Sequence, residues 1–408
     1  MRQNMNNFGI VLGYEWKKLL GKKIVWISSM LGILICVISV FTPLLGNYYI
    51  DGKFIDTNYN IYQTNKKYAQ ELSGRKIDQT LLEETIAAWR KIPQTTETPY
   101  QATEEYWKYA RPYNEIFQII RKTSGMQTFE AMYSWQPNET WLYAKRLAWL
   151  TSLREGIKLS KGEIEFWGEQ EEQVKKPYVY EEHGGYRALF SNYQTTGLFV
   201  LMLIAICLSG IFSDEHIRKT DQLILASPLG KTWLYWAKIT AGTTFAIIIT
   251  ILFFTAEFTS AICLFGTGGF QAAFQFIYNP SSSPVTCGQA ILIAYGNMMM
   301  AAVVTSIFVM VLSELLKSNI ATLAISVGLL IAPLIVTAPT QYRAAAQIWN
   351  WLPWSFLAPW NVFGQYTVSI FGRYLTPWQA VPLIYLAAGI LIAVIGRPIY
   401  QRFQVSGR

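Results

Sequence analysis

Charge is scarce in this chain and histidine almost missing: 15% of the 408 residues are Asp, Glu, Lys or Arg, and there are two histidines, His183 and His216. With no H-E-x-x-H there is no zinc-hydrolase signature. No serine or cysteine in an apolar run stands beside a plausible base, so the sequence offers no catalytic residues. The four cysteines leave residues 46–190 without any, which excludes a disulfide scaffold there. A phosphate-binding loop is missing too: "SPLGKT" has Gly230, Lys231 and Thr232, but Leu225 stands where G-x-x-x-x-G-K-[ST] requires its first glycine.

What is abundant is apolar surface, with 52% of residues hydrophobic and 15% aromatic, too much for an ordinary soluble domain. A helix needs about 20 apolar residues to cross a hydrocarbon core. Six stretches qualify, at 24–45, 192–213, 236–265, 288–313, 318–338 and 376–396, and they predict an α-helical polytopic membrane protein. The first is read as an anchor, because its run exceeds a signal-peptide core and no small-x-small site follows. Lys17, Lys18, Lys22 and Lys23 precede it, whereas Asp51, Lys53 and Asp56 follow, which predicts a cytoplasmic amino terminus. Six spans return the tail, 397–408, to the same side.

Residues 46–190 then form one extracellular domain, with 19 basic and 20 acidic residues. The net charge of +8 therefore gathers on the cytoplasmic side, where it favours anionic lipid headgroups rather than nucleic acid. Apolar residues at i, i+3 and i+4 make the domain mainly helical. Its six tryptophans, Trp89, Trp107, Trp135, Trp141, Trp149 and Trp167, fill a core or form an aromatic surface for lipid or an amphiphilic ligand. Asn138 with Thr140 matches a glycosylation acceptor. Residues 1–23 place Phe8, Leu12, Trp16 and Leu19 at helical spacing, the pattern of an interfacial helix or of a plain cytosolic flank. Residues 344–372, without a charged residue and rich in Trp and Pro, read as short helices at the outer interface. Cys263 and Cys287 flank one outer loop, and their spacing allows a disulfide.

The most charged interruption is "FSDEHIRKTDQLILASPLGKTWLYWAKI" at 212–239, directly after an apolar run. In it Glu215, Thr220, Pro228, Lys231 and Lys238 stand as E-x4-T-x7-P-x2-K-x6-K. This resembles the cytoplasmic loop of ABC-2 type transporter permeases, with Lys219 where that family usually has glycine. The resemblance, with span count and topology, covers essentially the whole chain. It implies a coupling helix over Asp214–Lys231 within the loop 214–235, docking a separate ATP-hydrolysing subunit, so that ATP and Mg²⁺ belong to that partner and no cofactor to this chain. It also implies a second permease copy or a paralogous permease beside this one. Leu223, Ile224 and Leu225 would be anchors, with Arg218, Lys219 and Asp221 as a charged rim. A solvated connecting loop is the plainer alternative. The large domain after the first span is similar to the branch containing bacterial sodium exporters and A-subfamily lipid exporters, which favours export.

Glu257 stands about 27 Å along the third span from Ile239, near the far edge of the hydrocarbon. It either snorkels to headgroups or marks a transport pathway. "EEHGGYR" at 181–187 has the acids and arginine of some intramembrane hydrolases, at the wrong spacing. A sensor that binds antimicrobial peptides or lipids on its outer domain and signals inward also fits a permease scaffold.

Overall fold

The computed structural model describes residues 2–93, 99–124, 133–220 and 228–401. The chain opens with α1 (Arg2–Leu20) and α2 (Lys23–Phe41), and then a hairpin of β1 (Asn47–Ile50) and β2 (Lys53–Thr57) leads into a helical domain. Its main helices are α3 (Asn58–Leu72), α4 (Gln79–Trp89), α5 (Asn114–Ser124), α6 (Glu139–Gly156) and α7 (Lys161–Glu172). After it come α8 (Gly184–Leu208), the one-turn α9 (Ser213–Ile217), α10 (Pro228–Phe265), α11 (Cys287–Leu316) and α12 (Asn319–Ile335). Two short helices, α13 (Arg343–Asn350) and α14 (Pro359–Val362), precede a hairpin of β3 (Val368–Ile370) and β4 (Arg373–Leu375) and the last helix, α15 (Pro377–Gln401).

Among the described residues five helical stretches are long and apolar enough to cross a membrane: Lys23–Leu44, Gly184–Ile217, Trp233–Phe265, Cys287–Leu316 and Pro377–Gln401. The sixth expected span, α12, has 17 residues. At 1.5 Å per residue that is about 25 Å, short of a hydrocarbon core of about 30 Å. In the bundle α11 packs against α8, α10 and α15, while α2 lies against α8 and α10. Met30, Leu31 and Leu34 of α2 stay exposed on its other face, as lipid-facing positions would. α1 runs along α10, with Phe8 edge-on to Trp233 at 5.9 Å and Trp16 to Phe245 at 6.3 Å.

The domain's helices start where side chains can satisfy free N–H groups. Thr57 caps α3, Asp78 caps α4, and Ser160 with Glu163 forms a capping box on α7. Asn138 caps α6 by accepting from Trp141 N at 2.8 Å, so the glycosylation-like motif has a structural use. Trp89 stacks on Phe117 with ring centroids 3.6 Å apart. Trp89, Trp135 and Trp167 are buried, and Trp107 and Trp141 pack partly against the core. Only Trp149, 40% exposed, is left for a surface.

Buried polar groups fasten the domain to the loops at one end of the bundle. Arg146 pairs with Glu171 and donates to the carbonyls of Asn279 (3.1 Å) and Ser281 (2.7 Å). Arg154 donates to Ser282 Oγ at 2.6 Å and Gln365 Oε1 at 3.2 Å, and Trp167 Nε1 donates to Gln365 O at 2.8 Å. Arg343 at the start of α13 pairs with Glu163. Domain and loops are thus joined by buried polar contacts at several points. The disulfide that spacing allowed is absent: all four cysteines are free, Cys263 exposed and Cys287 buried.

Candidate functional site

At the end of the bundle away from the domain, the expected coupling helix is broken into parts. Ser213–Ile217 forms one turn of helix, and Thr220 N returns to Glu215 O at 3.0 Å. Residues 221–227 lie outside the described residues, and with them Asp221, Leu223 and Leu225. Pro228 opens α10, a position where a missing N–H costs little. Gly230, Lys231 and Thr232 are thus already inside the first turns of a long helix, not in a loop that could wrap a phosphate.

Lys219 has φ 55°, the left-handed conformation natural to glycine. Holding a side-chain-bearing residue in this conformation costs about 1–2 kcal/mol. Lys219→Gly is expected to leave the melting temperature unchanged or raise it slightly. Lys219→Val, β-branched and least tolerant of this conformation, should lower stability by about 1–2 kcal/mol relative to the glycine variant. A glycine variant that melts below the valine variant would mean that the turn does not form.

The rest of this segment is an ion-pair hub. Lys238 is fully buried, and its ammonium donates to Glu215 Oε1 at 2.8 Å, Glu15 Oε2 at 3.2 Å and Ile211 O at 2.8 Å, which uses all three of its protons. Lys18 reaches Glu215 Oε1 at 2.6 Å, and Lys22 reaches Asp214 Oδ2 at 2.7 Å. His216 Nε2 stands 3.0 Å from Glu314 Oε2 on α11. Asn319 at the start of α12 bonds both Asp214 and Ser213, and Ser213 N donates to Ser313 Oγ at 3.2 Å. Residues 213–216 thereby tie together α1, α10, α11 and α12.

Three of the sequence candidates, Asp214, Glu215 and Lys238, are thus committed inside the chain. Arg218, Lys219 and Thr220 are exposed, and beside them Ile217 leaves 61% of its apolar side chain open. Sequence reasoning passed over Glu15 and Ile217. Glu15 had a signal: it is the only acidic residue before Asp51, set among lysines.

Glu257 does not snorkel. It is fully buried, and both carboxylate oxygens lack a hydrogen-bond partner. The hydroxyls of Thr196 on α8 and Tyr295 on α11 lie close enough to interact with it, yet none of the four oxygens makes a well-formed hydrogen bond. Cys36 of α2 lies within its electrostatic reach. Buried polar groups are nearly always paired, and four unpaired oxygens at one spot call for an explanation. Nearer the domain, a cavity of about 550 Å³ opens between α8, α12 and the α13–α14 region. Gln194, Thr195 and Asn350 give it polar walls, and Leu334, Trp349 and Trp354 apolar ones. Among the described residues no group of His, Cys, Asp and Glu is arranged to hold a metal ion.

No curated protein sequence matches the chain. A family model described as "ABC-2 family transporter protein" matches residues 10–395.

Proposed function

The chain belongs to the ABC-2 family of transporter proteins, and we propose that it is the membrane permease of an ATP-driven exporter, working as a dimer with a second permease copy or a paralogue. An ATP-binding subunit docks on the loop around Ile217–Lys231, and ATP with Mg²⁺ is held there, not in this chain. The basic residues before α2 put both termini and this loop in the cytoplasm, with the domain outside and α12 tilted or flanked so as to complete six crossings. The observation that carries the reading is the hub: an exposed turn, Ile217–Thr220, is rigidly tied through Asp214, Glu215 and Lys238 to four helices. A push on that turn moves the bundle rather than only the loop. The mixed lining of the cavity between α8 and α12 suits a substrate with apolar and polar parts.

Coexpression with an ATP-binding subunit tests this. Replacing Leu223 and Leu225 together by Ala should release that subunit, since truncating a buried anchor commonly costs more than about 1 kcal/mol. The purified chain alone should bind no nucleotide, with or without Lys231→Ala. Nucleotide binding by the isolated chain, lost on Lys231→Ala, would overturn the reading. ATPase stimulation without movement of any substrate would favour an outer-domain sensor instead.

A further inference from the structure

Where the ends of α2, α8 and α10 meet the domain there is a second cavity, of about 320 Å³. Pro43, Ala69, Ala188 and Phe265 give it apolar surface; its charged groups are Lys66, Glu115, Glu182 and Arg187, and its neutral polar ones include Tyr62, Asn65 and Asn192. A neighbouring hollow beside the Gly266–Gly269 turn shares Lys66, Glu182 and Phe265 with it. Lys66, Glu182 and Arg187 belong neither to the hub nor to the cavity between α8 and α12, with which this cavity shares Ser191.

The charges here are unevenly used. Arg187 forks onto Glu115, Nη2 to Oε2 at 2.6 Å and Nη1 to Oε1 at 3.3 Å, and Nη2 also lies 2.9 Å from His183 Nε2. His183 Nδ1 is bonded to Glu181 O at 2.8 Å. Burial and the adjacent guanidinium push the imidazole down to about 4, so it is neutral and Nε2 accepts. Burial alone would raise the Glu115 carboxyl, but Arg187 holds it below its ordinary range. These groups satisfy one another, except that Arg187 Nε is buried with no acceptor.

Tyr62 OH is likewise buried and unpartnered, its ring edge-on to Phe265 at 5.1 Å. Lys66 is half-buried and feels Glu182 electrostatically, but among the described residues no ion pair joins the two. Glu182 takes one hydrogen bond on Oε1, from Gly184 N at 2.8 Å. Glycines make room around it: a Cβ on Gly184 would fall 2.7 Å from Oε1 and 3.6 Å from Tyr62 OH, and one on Gly268 3.3 Å from Oε2. The cavity thus holds free donors in Tyr62, Arg187 Nε and Lys66, and a carboxylate with open acceptor sites in Glu182.

We propose that this cavity binds a small zwitterionic headgroup, its acidic part held by Lys66, Tyr62 and Arg187 and its primary ammonium by Glu182. A purely anionic ligand would leave Glu182 uncompensated, and a purely cationic one would leave Lys66 and both orphan donors unused. An unmade buried hydrogen bond costs about as much as a made one contributes or more, which is why both ends are needed. Phosphoethanolamine has this chemistry, and it is available as a membrane lipid headgroup or as a free solute. The position at the ends of three apolar helices favours the lipid, whose chain would lie along Pro43 and Phe265.

Binding of lysophosphatidylethanolamine, lysophosphatidylglycerol and free phosphoethanolamine to the full chain in detergent tests this, read by native mass spectrometry and thermal shift. The ethanolamine lipid should bind at least tenfold more tightly than the glycerol one. Glu182→Gln should erase that preference, whereas Lys66→Gln should weaken both lipids. Tyr62→Phe removes an unpartnered hydroxyl without disturbing packing, so it should fold normally and still lose affinity for both. Weak binding of the free headgroup would assign the site to lipid, and equal binding to a solute of the same chemistry. Equal affinity for the two lipids in the unaltered chain, or binding that ignores Glu182→Gln and Tyr62→Phe, would overturn the proposal. The site does not depend on export: failure of ATPase docking would leave these affinities as they are.

Discussion

Lys238→Ala is expected to destabilise the protein by about 3–5 kcal/mol, the cost of removing one partner from a buried ion pair. The substitution leaves Glu15 and Glu215 facing each other in a site where Lys238 has no exposure. Among the described residues Lys18, 40% exposed at its side chain, is the cation left paired with them. Replacing the whole charged set by neutral groups of similar volume is a different change, often close to neutral in energy. The triple variant Lys238→Met, Glu15→Gln, Glu215→Gln should therefore recover most of the loss in thermal melting. Its coupling is the informative measurement. If the hub transmits motion from Ile217–Thr220, the triple variant should fold and hold the ATPase subunit but lose substrate-dependent ATPase stimulation. Intact stimulation would mean that the charges serve only to hold α1 in place.

The bundle was legible in the sequence because apolar runs of about 20 residues have few other uses. Its boundaries were less so. α8 begins at Gly184 rather than near 192, because the residues around Arg187 are helical but line a polar cavity. α10 begins at Pro228 rather than 236, since Trp233–Lys238 is helical without being uniformly apolar. The hub was not legible at all as a hub. Lys18 and Glu215 are 197 positions apart and Lys238 and Glu15 are 223 apart, and no periodicity connects such pairs. The motif carries Glu215 and Lys238, which the fold places against each other rather than outward. Lys219 stands in the left-handed conformation that glycine adopts at less cost, which its place in the motif did not reveal.

The burial of Glu257 did leave a trace. Along α10, Ala246, Thr250, Phe253, Glu257 and Ala261 are all fully buried, while Ile248, Ile251, Leu252 and Phe258 are exposed. Glu257 thus falls on the face that recurs every three or four positions towards the interior, opposite the face covered by Ile248, Ile251, Leu252 and Phe258. Depth along the span suggested an interface; the helical face pointed inward, and the face decides.

Glu257→Gln should accordingly raise or leave unchanged the melting temperature, since a carboxylate without a partner is removed and the shape is kept. The amide keeps two buried polar atoms, so the gain is that of removing an ionisable group and stays below the ~1–3 kcal/mol of a fully relieved one. Complex assembly and basal ATPase rate should be unaffected, because the residue lies on the far part of α10 from the hub. ATP-driven movement of a fluorescent amphiphile in proteoliposomes containing both subunits should nevertheless fall at least tenfold. Stability gained and transport lost in one substitution is the signature of a group kept for function at the expense of the fold. Lower stability or failed assembly would make Glu257 structural, with Thr196 and Tyr295 closing on it in the assembled transporter. Normal transport with raised stability would remove it from the pathway, and would leave the cavity between α8 and α12 as the route to test by substituting Gln194 and Asn350.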